Sequence, residues 1–210
     1  MYTLCINNGL VIDPETETAR IASVGVENGR LAALSDTPLE AEMQLNAAGH
    51  VVCPGFIDVH GHADNVTAYP DHEACARFSL LQGVTTMVSG NCGLSVPDVA
   101  EFFRKMDQGY PFHHAELIGG STLRRMAGAT DIYTPATDEQ IARTCELARQ
   151  ALEQGAAGIS FGLGYTPGTA LKEVYALARV AKEFGRLITV DTRMRDDYDL
   201  SSLADVFQVA

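Results

Sequence analysis

The sequence predicts an α/β fold with a parallel sheet, preceded by a small antiparallel β unit. Up to about residue 52, short apolar runs alternate with turn signals, which indicates strands joined by tight connections. From Phe56 onward, apolar β-rich segments recur with helical patterns between most of them. Such alternation is typical of parallel strands with right-handed crossovers. We therefore predict a β domain over residues 1–53 and an α/β domain over residues 54–210.

The first domain contains two predicted turns. Asn7-Asn8-Gly9 separates two short apolar runs, and Asn28-Gly29 separates two more. Asn-Gly between apolar runs is the strongest local hairpin signal, because both residues tolerate the positive φ of a type I′ turn. The strands predicted beside these turns are Tyr2–Ile6, Leu10–Ile12, Ile21–Glu27 and Leu31–Leu34.

The second domain contains five predicted strands: Phe56–Val59, Val84–Val88, Leu117–Ile118, Gly158–Phe161 and Leu187–Val190. Helical patterns cover Glu73–Leu81, Val99–Met106, Ile141–Leu152, Leu171–Phe184 and a segment that begins at Ser201. Asp98, Thr169 and the capping-box pair Thr137 and Gln140 are predicted to start three of these helices. An open, doubly wound five-stranded sheet satisfies this pattern as well as part of a closed barrel does.

The composition restricts the classes of partner. The 210 residues are 46% hydrophobic and 20% charged, as in a globular protein, and the formal net charge is −12. This charge argues against nucleic acid and anionic membranes, and no apolar run approaches the about 20 residues that a membrane helix needs. Five cysteines without a CxxC pair, and no secretory signal pattern, lead us to expect reduced thiols in the cytoplasm.

His60 and His62 follow the first predicted strand of the second domain. Residues i and i+2 of a strand point to the same face, so the two imidazoles are expected to project side by side and to suit a divalent metal. The alternative is that both are exposed polar residues. Asp64, in the loop that follows, is either a substitute base or a carboxylate that is solvated or supports the metal ligands without binding the metal.

Three stretches carry a resemblance. They are Pro54-Gly55-Phe56-Ile57-Asp58 with His60 and His62, Gly90-Asn91-Cys92-Gly93-Leu94-Ser95, and Gly158–Tyr165. Together they resemble the amidohydrolase superfamily, and within it the N-acyl-D-amino-acid deacylases (D-aminoacylases). The resemblance covers nearly the whole chain but only the N-terminal half of such enzymes. It implies a partial (β/α)8 TIM-type barrel, its first five βα units, after the opening strands of a β-sandwich.

The resemblance also implies a zinc site with one or two ions, held by His60, His62 and Cys92. The fifth-strand motif of the family is Thr-His-x-Arg. A gapless match places Arg193 on that histidine, and a match shifted by two residues places Asp191 there. A guanidinium has no lone pair for a cation, whereas Asp191 can ligate. The catalytic aspartate of the family lies on the eighth strand, beyond Ala210, so no catalytic residue is identified in this chain.

The family's substrate pocket suggests roles for Tyr165 and Arg195 as substrate-binding residues. Tyr165 is alternatively an aromatic that packs on the barrel rim, and Arg195 alternatively pairs with a neighbouring aspartate. Gly120 stands where the family usually has a histidine. The pair His113-His114, at the opposite end of the third strand, is predicted to lie on the surface.

Three hypotheses for the function follow. The first is a zinc-dependent hydrolase of linear amide C–N bonds that acts on a small-molecule N-acyl amino acid. The second is a non-catalytic remnant, or a half-enzyme that needs a second chain, with a homo-oligomer or a complementing C-terminal chain as partner. The third is a cyclic amidase of the dihydroorotase or hydantoinase type. Because those enzymes use lysine where Cys92 stands, Cys92 argues for the deacylase branch.

Overall fold

The chain divides into two compact units, Met1–Gly55 and Phe56–Ala210. The computed structural model describes residues 1–64, 72–111, 113–193 and 201–209. Within these ranges, no helix combines the length and the apolar character that crossing a membrane requires.

The first unit is a five-stranded sheet of β1 (Tyr2–Asp13), β2 (Thr18–Glu27), β3 (Arg30–Ser35), β4 (Ala41–Asn46) and β5 (Val51–Val52). The pairs β1–β2 and β2–β3 are antiparallel, as predicted. Strands β4 and β5 both run parallel to β1, β4 along its first half and β5 further on. The sheet is therefore mixed. Strand β1 is long enough to pair with β4 and β5 in succession along one edge.

Two asparagine–glycine segments in this unit behave differently. Asn28 and Gly29, both at positive φ, connect the paired residues Glu27 and Arg30, which confirms the predicted hairpin. The turn predicted at Asn7-Asn8-Gly9 is wrong, because β1 continues through it and only its register with β2 shifts. Asn8, at φ 64°, lies in this β-bulge. The same residue types serve turns and bulges, so local sequence did not separate the two.

The second unit is a parallel sheet of β6 (Phe56–Asp58), β7 (Val84–Ser89), β8 (His113–Gly119), β9 (Gly158–Gly162) and β10 (Leu187–Asp191). The strands pair in sequential order from β6 to β10, and every pair is parallel. A doubly wound sheet reverses its strand order at a switch point, whereas a (β/α)8 barrel adds each strand beside the last. The partial barrel is therefore confirmed, and the doubly wound alternative is wrong.

The described helices are α1 (His72–Leu81), α2 (Val99–Met106), α3 (Gly120–Met126), α4 (Asp138–Glu153), α5 (Leu171–Glu183) and α6 (Ser201–Phe207). The predicted caps at Asp98 and at Thr137 with Gln140 are present. Helix α5 instead begins after Ala170, not after Thr169, and the Glu173 side chain accepts from the Ala170 N–H. Helix α3 was not predicted, because it starts directly at the end of β8 in a glycine pair.

The main core of this unit lies between strands β8 and β9 and helices α3, α4 and α5. Its fully buried members include Ile118, Leu123, Ala148, Ile159 and Val174. Because the strands are parallel, their carboxyl ends lie at one edge of the sheet. The segments that follow β6, β7, β9 and β10 therefore meet at this edge.

Candidate metal centre

His60 and His62 lie immediately after β6, at the carboxyl edge of the sheet. The His60 N–H donates to Asp58 Oδ1 at 3.1 Å, and the Gly61 N–H donates to the Val88 carbonyl at 2.8 Å. The second of these bonds continues the pairing of β6 with β7 beyond the last strand residue. Both rings are exposed, with centroids 5.3 Å apart. The segment thus holds two accessible imidazoles side by side.

Cys92 lies in the loop that follows β7, in an unusual backbone conformation. Its φ is 56°, in the left-handed region that residues with a side chain seldom adopt. Ser160 of β9 holds the loop on both sides, because its hydroxyl donates to the Gly90 carbonyl and accepts from the Gly93 N–H at 3.1 Å. A Cβ at Gly162 would lie 2.0 Å from the Cys92 carbonyl oxygen, so β9 needs glycine there to admit the loop.

The structure brings the thiol of Cys92 to both imidazoles. Its Sγ lies 3.3 Å from His60 Nε2 and 3.7 Å from His62 Nε2, and one donor atom from each of the three residues lies within 4.8 Å of the others. Zn–S and Zn–N bonds of about 2.3 and 2.05 Å at a tetrahedral angle separate S from N by about 3.6 Å. The two observed spacings bracket this value, so the three donors suit a tetrahedral zinc ion.

Asp191 lies at the end of β10, on the far side of the loop. Burial raises the pKa of the Cys92 thiol, and a hydrogen bond and the charge of Asp191 raise it further. The carboxylate is therefore within reach of the sulfur, although the described cluster of mutually close donors comprises only His60, His62 and Cys92. Asp191 thus borders the cluster through Cys92.

Three further residues considered in the sequence analysis are Tyr165, Arg193 and Arg195. Tyr165 is 54% exposed on the loop after β9, and Arg195 lies outside the described residues. Arg193 donates to the carbonyl oxygens of Pro167 and Thr169, so its side chain fastens the loop that carries Tyr165. The gapless match therefore places a loop-binding arginine on the family's histidine.

Gly120 is the second position at which the sequence departs from the family's pattern, and it lies against the side chain of Phe161. A Cβ at Gly120 would lie 3.1 Å from Cδ1 of Phe161, so the ring of Phe161 borders the space that a side chain at this position would enter. Phe161 belongs to the main core and is buried. A histidine at position 120 would therefore require Phe161 to move.

Asp64 is buried rather than solvated. Its exposed fraction is 8%, and its Oδ1 accepts from the Gly90 N–H at 3.4 Å. The carboxylate therefore faces the start of the Cys92 loop. In this place it supports the loop that carries a donor, which agrees with the predicted supporting carboxylate and not with a solvated one.

A buried acid–imidazole pair lies behind the Cys92 loop and was missed by the sequence analysis. Glu116 and the side chain of His114 are almost fully buried on β8, with Glu116 Oε2 3.6 Å from His114 Nε2. Burial, and next the charge of Asp64, raise the pKa of Glu116 to about 9, while burial lowers the pKa of His114 to about 4. Despite the short distance, both groups are neutral near pH 7. The prediction of His114 as a surface residue is wrong.

Glu116→Gln is expected to remove a pH dependence of stability. Between about pH 6.5 and 9, the native chain keeps the proton of Glu116 and the unfolded chain does not. The free energy of unfolding of the wild type therefore falls as pH rises, on the order of 1 kcal/mol per pH unit, and glutamine abolishes this fall. Urea unfolding at pH 6.5, 7.5 and 8.5 measures it.

Below pH 6.5 the lowered pKa of His114 acts in the opposite sense, because the unfolded chain then binds the extra proton. The comparison is therefore made above that pH. Glu153→Gln, at an exposed position of α4, is the matched control for the change in net charge. Parallel stability curves for wild type and Glu116→Gln would contradict the assignment of a neutral buried acid.

Comparison with known proteins places the chain among deacylases. No protein-family model matches it. D-aminoacylase from Alcaligenes xylosoxydans xylosoxydans is 31% identical over 235 aligned residues, which cover 99% of this chain and 48% of that protein. N-acyl-D-glutamate deacylase from the same organism is 34% identical over 232 residues, which cover 98% and 47%. The chain belongs to the N-acyl-D-amino-acid deacylase branch of the amidohydrolases. It spans about half the length of these relatives.

Solved structures of deacylases support this membership. The N-acyl-D-glutamate deacylase of Bordetella bronchiseptica, complexed with zinc and a phosphonate that mimics the tetrahedral intermediate, matches this chain with TM-score 0.90 and 33% identity. The match covers 99% of this chain and 48% of that one. A D-aminoacylase studied for its binuclear metal centre matches with TM-score 0.88 and 29% identity, over 100% and 49%. The relatives of this chain are thus metal-dependent amidohydrolases.

A cyclic amidase matches a smaller part of the chain. Dihydroorotase from Aquifex aeolicus (strain VF5) is 36% identical over 91 residues, which cover 42% of this chain and 22% of that protein. The deacylase matches extend over nearly the whole chain. The comparisons therefore favour a linear-amide deacylase over the cyclic-amidase alternative.

Proposed function

We propose that this chain carries the metal-binding part of an enzyme that hydrolyses the linear amide bond of N-acyl-D-amino acids. The observation that carries the proposal is the convergence of His60, His62 and Cys92 at the carboxyl edge of the parallel sheet. This edge is where (β/α)8 enzymes place their active sites. A thiol and two imidazoles whose donor atoms lie within 4.8 Å of one another are ligand types that zinc binds.

The proposed cofactor is zinc, as one or two ions, with His60, His62 and Cys92 as ligands and Asp191 as a further one. The sulfur–nitrogen spacings support zinc, and the effect of Asp191 on the pKa of Cys92 supports its nearness. When bound, zinc lowers the pKa of a coordinated water and polarises the amide carbonyl. The exposed imidazoles leave the site open on one side, as a catalytic rather than a closed structural zinc site requires.

The substrate is proposed to contact Tyr165 and Arg195. The Tyr165 ring is half exposed, and the bonds of Arg193 fasten the loop that carries it, so the ring is accessible on a defined support. Arg195 would pair with the carboxylate of the substrate through a bidentate contact.

The groups that complete the site, including a carboxylate base, are proposed to come from a complementing C-terminal chain or from a homo-oligomer. The first unit supports such a partner, because its sheet exposes large apolar side chains of the kind that mark interaction surfaces. These exposed side chains are Ile21, Leu31, Met43, Leu45 and Val51.

The proposal is tested by release of free amine from N-acetyl-D-glutamate by the zinc-loaded chain, alone and after addition of the C-terminal half of a related deacylase. The L-enantiomer and dihydroorotate are the comparison substrates. Hydrolysis of the D-enantiomer that is lost in Cys92→Ser is the expected result. Metal binding without turnover, both in the chain alone and after addition of the C-terminal half, would favour the non-catalytic remnant. Turnover of dihydroorotate but of neither enantiomer of N-acetylglutamate would favour a cyclic amidase.

A further inference from the structure

Asn91 lies between the two segments that carry the proposed metal ligands. It directly precedes Cys92 in the loop after β7, and its exposed fraction is 2%. It belongs to the stretch Gly90–Ser95 that carries the family resemblance, but the sequence gives its side chain no role of its own. In the fold, its side chain extends from the Cys92 loop to the segment after β6 that carries both histidines.

The contacts of the Asn91 amide define this link. Its Nδ2 lies 3.0 Å from the carbonyl oxygen of Val88, 3.4 Å from that of Val59 and 3.5 Å from that of Gly61. Val59 and Gly61 are the two neighbours of His60 in the chain. The Val88 carbonyl also accepts from the Gly61 N–H at 2.8 Å. One buried NH2 group therefore faces the backbone on both sides of His60 and the end of β7 at the same time.

The chemistry of this pocket requires a donor. Three carbonyl oxygens converge on Nδ2, and an acceptor or an apolar group there would leave them without this partner in a buried place. The neighbouring Cys92 holds a left-handed backbone conformation, which persists only where its surroundings enforce it. Asn91 before it and the bond from Gly93 to Ser160 after it enclose that residue.

We propose that Asn91 is a positioning residue that sets the distance between the Cys92 thiol and the two imidazoles. It does so by tying the backbone of the cysteine loop to the backbone around His60, so that the three donors keep their spacing before a metal arrives. The inference rests on the metal centre proposed above and extends it. Preorganised donors bind a metal more tightly, because less ordering of the chain accompanies binding.

The test compares the wild type with Asn91→Ala, Asn91→Ser and Asn7→Ala in cobalt titrations of the metal-free chain. Asn7 is the matched control, because it is also a buried asparagine that bonds backbone groups, those of Leu39 at 2.9 and 3.0 Å, but it lies in the first unit. Affinity, sulfur-to-cobalt charge-transfer absorption per bound ion, and thermal unfolding of the metal-free form are measured.

The Asn91→Ala variant is expected to bind cobalt about 10- to 100-fold more weakly, with lower charge-transfer absorption at saturation. Serine, whose hydroxyl reaches fewer of the carbonyls, is expected to lie between alanine and wild type, and it decides the question if the alanine variant does not fold. Asn7→Ala is expected to lose thermal stability and to keep the wild-type affinity and spectrum.

Two results would overturn the positioning role. One is unchanged affinity and spectrum in both Asn91 variants. The other is an equal loss of affinity in Asn7→Ala, which would make general destabilisation the cause. Failure of the wild type itself to bind cobalt would refute the metal centre, and with it this role, and is distinguished by the absence of any wild-type signal.

Discussion

Replacing Cys92 by serine is expected to weaken zinc or cobalt binding by more than about 100-fold. This loss exceeds the about 10- to 100-fold loss that follows removal of a residue that only hydrogen-bonds to a metal ligand. The thiolate is the softest and most strongly bonded donor of the cluster, and it is the donor that lies near both imidazoles. A serine hydroxyl stays protonated at neutral pH and leaves His60 and His62, with Asp191 as the proposed further ligand. Equilibrium dialysis with metal analysis measures the loss.

Cys53→Ser is the matched control for this prediction. Cys53 is also a free cysteine, but it is exposed and belongs to the first unit. Its replacement is expected to leave the metal content and the cobalt spectrum unchanged. Equal metal binding by the Cys92→Ser variant and the wild type would remove the physical basis of the proposed centre, because the thiolate would then contribute nothing to the binding of the metal.

Glu173→Ala is expected to lower the free energy of unfolding by about 3–5 kcal/mol. Glu173, on α5, and Arg124, on α3, form a buried ion pair, each less than 5% exposed. The second carboxylate oxygen accepts from the N–H groups of Ala136 at 3.1 Å and Ala170 at 2.9 Å. Alanine would leave a buried guanidinium charge without this partner and two backbone donors without their acceptor. Urea unfolding at pH 7 measures the change.

Lys172, which precedes Glu173 in the chain, supplies the control. Lys172 and Asp138 form an ion pair at 3.0 Å between the same region of α5 and the start of α4, but both side chains are mostly exposed. Lys172→Ala is expected to change the free energy of unfolding by less than about 1 kcal/mol, because water screens exposed pairs. Similar small effects of both variants would show that the Arg124–Glu173 pair contributes little beyond packing.

Much of the fold was predictable because the signals were local. The Asn28-Gly29 hairpin, the Asp98 cap and the capping box at Thr137 depend on groups within a few residues of one another. The alternation of strands and helices predicted parallel pairing. The choice between a barrel and a doubly wound sheet was not local, and it was decided by the sequential order of β6 to β10.

The residues of the candidate site also differ in whether local sequence could predict them. The spacing of His60 and His62 along a strand end predicted two neighbouring imidazoles, and the loop motif singled out Cys92 through a resemblance. His114 was misassigned, because the third strand of the parallel sheet begins at His113, before the predicted Leu117, and Phe102 of α2 packs against the ring of His114. Asn91 gave no signal for its role, since two of the three carbonyl groups it contacts belong to Val59 and Gly61, 32 and 30 positions earlier in the chain.

The sequence by itself determined most of the segments that become strands and helices, where most of the helices begin, and which side chains have metal-binding chemistry. Only the tertiary structure decided that the sulfur of Cys92 lies close to both imidazoles, that Asp191 approaches it, and that Glu116 and His114 are neutral and buried. The physical reason is the range of the interactions. Backbone propensities and caps act over a few residues, whereas donor spacing and burial depend on strand register and on which loops the sheet edge brings together.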